Sequence, residues 1–142
     1  MEKVFKNEEG TAYLLKGIFM EENENKLFEK CIDDVSDELE ERPELIIFGK
    51  PCKQQRWVGF FSNESIGYVY LNKLMASKPL TLSLLDLLNK MNKIMGAEYN
   101  GILINKYMDG NDYISAHSDS QIGLDPAGVL SLSFGSERIF RI

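Results

Sequence analysis

One histidine, one tryptophan, four prolines and two cysteines are all that 142 residues contain of those types. Cys31 and Cys52 are too few for a disulfide framework and too far apart for a CxxC metal site, so a reducing, intracellular setting (cytoplasm or nucleus) is the default. A structural zinc site wants four closed ligands, and one histidine without a cysteine pair disfavours it. No run of about 18 apolar residues occurs, so no membrane span is expected. The first nine residues are charged and lack an apolar segment, which excludes a secretory signal. Internal repeats and low-complexity segments are missing too. What remains is ordinary for a soluble domain: 44% hydrophobic and 27% charged residues, enough for one core and one monomeric domain spanning 1–142.

The net charge of −6 argues against a generic nucleic-acid binder, but it is unevenly spread. Residues 1–49 carry −8, residues 50–106 carry +5 and residues 107–142 carry −3. A basic middle on an acidic chain can mark a polyanion contact, although from charge alone a solvated lysine face is the preferred reading.

The pattern predicts a short strand over Tyr13–Ile18, then an amphipathic helix over Glu22–Glu40 with Leu27, Phe28, Cys31, Ile32, Val35 and Leu39 on one stripe. Cys31 reads as a small core residue. Leu45–Phe48 is an apolar run closed by Gly49, expected as a buried strand. From Lys50 to Lys78, cations alternate with Trp57, Phe60, Phe61, Tyr68 and Tyr70. Tyr68 and Tyr70 share one strand face, suited either to base stacking or, as the preferred reading of the residues alone, to packing on the core. Thr81–Met95 is the second helix, with Ser83 and Asp86 as a capping box and Gly96 as its stop. Gly101–Tyr107 is a strand, Asp109-Gly110 a turn, and Asp112–Ala116 the returning partner strand. Val129–Phe134 alternates as another strand, and Arg138–Ile142 begins a further one. Helices followed by short strands predict an α+β fold whose strands form part of a jelly roll.

The returning strand delivers the one histidine. His117 and Asp119, two residues apart, can present an imidazole and a carboxylate to one point. That is two-thirds of the two-histidine, one-carboxylate triad of non-haem iron enzymes. Taken alone, the pair reads better as a strand-end histidine satisfied by its neighbour.

Its company changes that reading. From Ile46 onward the sequence resembles the AlkB family of 2-oxoglutarate- and Fe(II)-dependent dioxygenases. The likeness rests on Ile47-Phe48-Gly49-Lys50 with Arg56, on Gly67-Tyr68-Val69-Tyr70, and on Lys78-Pro79. It continues through Leu103-Ile104-Asn105-Lys106-Tyr107 with Asp109-Gly110 and His117-x-Asp119, and through Val129–Gly135 with Arg138 and Phe140. It implies N-terminal helices packed on a double-stranded β-helix (jelly-roll) core. Residues 1–45 would be an N-terminal strand and helix, 46–80 a nucleotide-recognition segment, and 81–142 a helix and the first part of the core. It further implies oxidative demethylation of alkylated bases in DNA or RNA, of the DNA-repair type, releasing formaldehyde and succinate. His117 and Asp119 would be catalytic iron ligands, and Asn105 and Tyr107 would bind 2-oxoglutarate. Tyr68 and Tyr70 would line the base pocket, with Arg56 and Gln121 nearby, and Lys53, Lys73 and Lys78 would contact phosphates. Gln121 stands where many relatives place an acid, and Leu71-Asn72 replaces a frequent Ser-Gly. Arg138 reads as a structural strand-end residue.

In this family a second iron histidine and clamping arginines lie well beyond the His-x-Asp, whereas only 23 residues follow Asp119 here, none of them histidine. The chain is therefore expected to be the N-terminal part of a dioxygenase, its core cut short and its site incomplete for turnover. Two other readings stand beside it: a non-catalytic nucleic-acid-binding relative, and a small interaction module whose motif match is accidental.

Overall fold

A computed structural model describes residues 2–8, 10–16, 24–117 and 126–141 of the chain. In order the elements are β1 (Glu2–Lys6), β2 (Thr11–Leu14), α1 (Glu24–Val35), β3 (Glu40–Glu41), β4 (Glu44–Ile47), β5 (Lys50–Lys53), β6 (Trp57–Phe61), β7 (Gly67–Tyr70), β8 (Lys73–Ala76), α2 (Leu82–Met95) and β9 (Ile102–Lys106). A single 3₁₀ turn, Ser36–Glu38, links α1 to β3. Mixed helix and sheet make the fold α+β, as the sequence pattern predicts.

Strand β6 is the centre of the sheet β3-β6-β9, antiparallel to both neighbours. Val58, Gly59, Phe60 and Phe61 are all buried, which explains why this strand is continuously apolar rather than alternating. Gly59 is required by a close approach: a β-carbon there would sit 2.8 Å from Leu39 Cδ2. Five residue pairs join β6 to β9, from Trp57 opposite Lys106 to Phe61 opposite Ile102.

The helices cover this sheet. Phe61, Val35, Leu39 and Leu84 form one buried cluster, and Cys31, Trp57, Leu80, Ile102 and Ile104 pack around it. Burying a side chain of this size contributes roughly 1.5–3 kcal/mol. Cys31 is a core thiol, and burial pushes its pKa up, away from reactivity. Helix α2 starts at Thr81 rather than at a Ser83–Asp86 box: the Thr81 hydroxyl accepts the Leu84 N–H at 3.3 Å. Ser83 is instead buried and donates to the Asp34 carboxylate on α1. Gly96, at φ +62°, ends the helix in the left-handed conformation, as expected.

Three expected strands take other forms among the described residues. Val129–Phe134 forms no strand, yet its alternation is used: Leu130, Leu132 and Phe134 cover Leu87 and Met91 of α2. Asp112–Ala116 forms no strand along β9; the Tyr113 N–H goes instead to Gln55 O at 3.0 Å. Residues 138–141 form no strand either. The apolar run Leu45–Phe48 also differs from expectation. Only Leu45 is buried, and β4 pairs with β5 as a projecting hairpin with Ile46 and Phe48 exposed. No helix among the described residues is long and apolar enough to cross a membrane.

Candidate active site

Asn105 and Tyr107 sit at the end of β9, where the ladder with β6 stops at the Trp57–Lys106 pair. Arg56, the residue just before β6, therefore lies beside them. It is buried, only 4% exposed, and its Nε donates to Asn105 Oδ1 at 2.8 Å. Its guanidinium also lies 5.2 Å from the centre of the Tyr70 ring, within cation–π range. Tyr70 in turn meets His117 edge-on, ring centres 6.0 Å apart. A continuous line of contacts, Asn105–Arg56–Tyr70–His117, thus joins residues from β9, β6, β7 and the segment after the Asp109-Gly110 turn.

Each side chain on that line is held in a defined state. His117 Nδ1 lies 2.7 Å from the Ser115 carbonyl. A carbonyl only accepts, so Nδ1 carries a proton, and in the neutral imidazole Nε2 then carries the lone pair. That is the tautomer in which an imidazole ligates metal through Nε2. Burial pushes the Tyr107 phenol above its ordinary pKa of 10.0, against the pull of Arg56 and Arg138, so it stays a neutral hydroxyl donor. Tyr68 and Tyr70 share a face of β7, with Tyr68 packed on Phe60 at 5.8 Å between ring centres. Tyr68 is thus partly a core residue, while Tyr70 faces the polar line. Beneath them a cavity of about 30 Å³ is lined by Gln54, Arg56, Val58, Tyr68, Tyr70 and Leu103. It has room for a water-sized guest and not for a base.

The lysines divide. Lys53 is exposed on β5. Lys73 Nζ donates to Glu44 O at 3.0 Å and ties the β7–β8 ribbon to β4. Lys78 pairs with Glu38 at 3.6 Å and donates to its carbonyl, a structural arrangement that competes with any phosphate contact. Asp119 and Gln121 lie outside the described residues. Among the described residues, no three His, Cys, Asp or Glu side chains gather as a metal site.

The sequence profile of the 2OG-Fe(II) oxygenase superfamily matches residues 11–142. The chain belongs to this superfamily. The AlkB-type resemblance read from the motifs is borne out with it. Among similar curated proteins is the DNA oxidative demethylase ALKBH2 of Homo sapiens, 28% identical over 117 residues, covering 76% of this chain and 45% of the relative. The Arabidopsis thaliana protein of that name is 28% identical over 106 residues, covering 70% of this chain and 33% of the relative. The one from Mus musculus is 25% identical over 124 residues, with coverages of 87% and 52%. The chain thus spans about half the length, or less, of these relatives.

Two features of this oxygenase chain escape a reading of its sequence. Phe48, at the tip of the β4–β5 hairpin, is fully exposed and adopts φ +49°. A phenylalanine in the left-handed region is costly, and such strain clusters at functional positions. The Ile47-Phe48-Gly49 motif was the available signal, but an apolar run alone reads as core. The second is Asp112, 2% exposed, whose Oδ1 pairs with Arg42 Nη2 at 2.7 Å and whose Oδ2 accepts the Met108 N–H at 2.8 Å. Its partner lies 70 positions upstream, beyond the reach of any local pattern.

Proposed function

We propose that this chain carries the co-substrate and iron-binding part of an Fe(II)- and 2-oxoglutarate-dependent demethylase acting on alkylated bases in DNA. The observation that carries the reading is the contact line Asn105–Arg56–Tyr70–His117. It connects one residue expected at the co-substrate, two at the base and one at the metal. The names of the similar proteins, DNA oxidative demethylases, support the same class.

The donor set fits both groups. His117, with Nδ1–H on a carbonyl, offers Nε2 to Fe(II), and Asp119 is the carboxylate expected beside it. Asn105 has its Oδ1 occupied by Arg56, which turns the Nδ2–H₂ donors outward to a carboxylate of 2-oxoglutarate. Tyr107 adds a neutral hydroxyl donor. When bound, iron and 2-oxoglutarate supply with O₂ the oxidation of an N-methyl group, giving succinate, carbon dioxide and formaldehyde.

The chain's own residues hold the base. The cavity lined by Tyr68 and Tyr70 has no base-sized space, so a base leaving the stack would be held beside Tyr70 and outside that cavity. Arg56 holds the Tyr70 ring by a cation–π contact and keeps a positive charge near the site. The projecting hairpin favours duplex DNA: Phe48, beside Lys50 and Lys53, suits an apolar wedge between base steps with phosphates on either side. The fold that goes with this function is a double-stranded β-helix in which β3-β6-β9 contributes one sheet. A DNA-containing, intracellular compartment follows from the substrate.

The test is formaldehyde release from an N-methylated DNA duplex, with Fe(II) and 2-oxoglutarate supplied. Release that requires both, and that disappears in His117→Ala, is expected. Release indifferent to His117, or none from any methylated oligonucleotide by the full-length protein, would overturn the assignment.

A further inference from the structure

Tyr107 lies one residue past the last β6–β9 pair, so the sheet does not set the direction of its ring. Something else holds it. The Arg138 guanidinium lies 4.3 Å from the centre of the Tyr107 ring, the closest cation–π contact described in the chain. Arg138 is itself fixed at two points: Nη1 donates to Asp109 O at 3.1 Å, and Nη2 donates to Asp112 O. A planar fork held by two carbonyls has little freedom, which suits Arg and not Lys.

The turn under that fork is locked as well. Buried Asp112 accepts the N–H of Met108, the residue after Tyr107, and its other oxygen pairs with Arg42. Arg42 Nη1 also donates to Gln55 Oε1 at 3.0 Å, joining the turn to the entry of β6. Tyr107 is thus held through its neighbour's backbone by Asp112 and through its ring by Arg138. The charges are arranged unequally. Asp112 is paired with Arg42, whereas Arg138 donates to neutral carbonyls and has no carboxylate partner among the described residues. That charge stands over the phenol where a dicarboxylate is to bind.

We propose that Arg138 is a positioning residue for 2-oxoglutarate, acting through Tyr107: clamped to the Asp109–Asp112 turn, it aims the phenol hydroxyl at a co-substrate carboxylate. The inference rests on the demethylase reading above, and it gives Arg138 a role beyond the strand-end position that the sequence suggests.

The experiment is a calorimetric titration of 2-oxoglutarate into the Mn(II)-loaded protein, with turnover prevented, in a double-mutant cycle. Arg138→Gln should weaken affinity about tenfold, the scale of one well-made hydrogen bond to a charged group. In a Tyr107→Phe background the same change should alter affinity less than about twofold, because the hydroxyl through which it acts is gone. Equal losses in both backgrounds would overturn the proposal, since Arg138 would then act independently of Tyr107. Circular dichroism checks folding, and if Arg138→Gln fails to fold, Arg138→Lys is read in its place. That variant keeps the charge and loses the fork, so weakened affinity supports the clamp and unchanged affinity overturns it. Wild-type protein that does not bind 2-oxoglutarate would overturn the demethylase reading itself, and the inference with it.

Discussion

Arg56 Nε and Asn105 Oδ1 meet at 2.8 Å across the start of β6 and the end of β9, and this bond decides which way the Asn105 amide faces. With its oxygen turned to Arg56, the amide has its donors free of that bond and available to the proposed co-substrate. Asn105→Asp separates stability from binding. The new carboxylate would form an ion pair with the Arg56 guanidinium in place of a bond to a neutral amide, so the melting temperature should hold or rise. It would also place a negative charge facing 2-oxoglutarate, and affinity should fall about tenfold or more. A thermal melt and a calorimetric titration on the same sample read both effects, and a lower melting temperature or an unchanged affinity would contradict this account.

Tyr70 links Arg56 to His117, and the proposed base position is beside it. Tyr70→Ala should weaken binding of a methylated oligonucleotide by about 1–3 kcal/mol, the usual scale of one base–aromatic stack. Tyr70→Phe should retain most of it. Equal binding by all three proteins in a fluorescence-anisotropy titration would place the base elsewhere.

Asp112 predicts an acid sensitivity. The Met108 N–H, and then Arg42, hold its carboxyl below the ordinary value of 3.8, although burial pushes the other way. A depressed folded-state pKa means that its stabilisation is complete above that ordinary value and is lost as pH falls through the folded-state pKa. Asp112→Asn should therefore lower the melting temperature at pH 7 and flatten its decline between about pH 5 and pH 2. Parallel pH profiles for the two proteins would show that Asp112 does not carry this dependence.

The contrast between β9 and Phe48 shows what a sequence can and cannot reveal. Strand β9 was legible, because its apolar pattern is regular and Asp109-Gly110 is a strong turn signal after it. Cys31, Val35 and Leu39 followed as core positions from helical spacing for the same reason. Phe48 was not legible as an exposed tip, since an apolar run carries no mark of whether anything covers it. The strand expected at Asp112–Ala116 failed because a long-range partner, Gln55, took the Tyr113 amide. Val129–Phe134 kept its alternation without a sheet, because α2 rather than a strand receives its side chains. Arg138 could be seen only as a strand end until the turn it grips was in place.

Phe48 itself gives a prediction of opposite signs. Phe48→Gly removes a left-handed phenylalanine from a two-residue hairpin turn, and stability should rise by roughly 0.5–1 kcal/mol. Affinity for duplex DNA should meanwhile drop about tenfold relative to single strands, if the side chain wedges between base steps. Denaturant unfolding and paired duplex and single-strand titrations measure the two changes. A loss of stability, or no change in duplex preference, would remove the wedge from the account.

The central claim is that His117, Asn105 and Tyr107 belong to one site that holds iron and 2-oxoglutarate together. Fe(II) chelated by 2-oxoglutarate absorbs visible light through metal-to-ligand charge transfer, so an anaerobic absorption titration reads that assembly without turnover. The band is expected when both are added to the wild-type protein, and it should vanish in His117→Ala and weaken in Tyr107→Phe. A band that persists unchanged in His117→Ala, or that never forms with the wild-type protein, would contradict the claim.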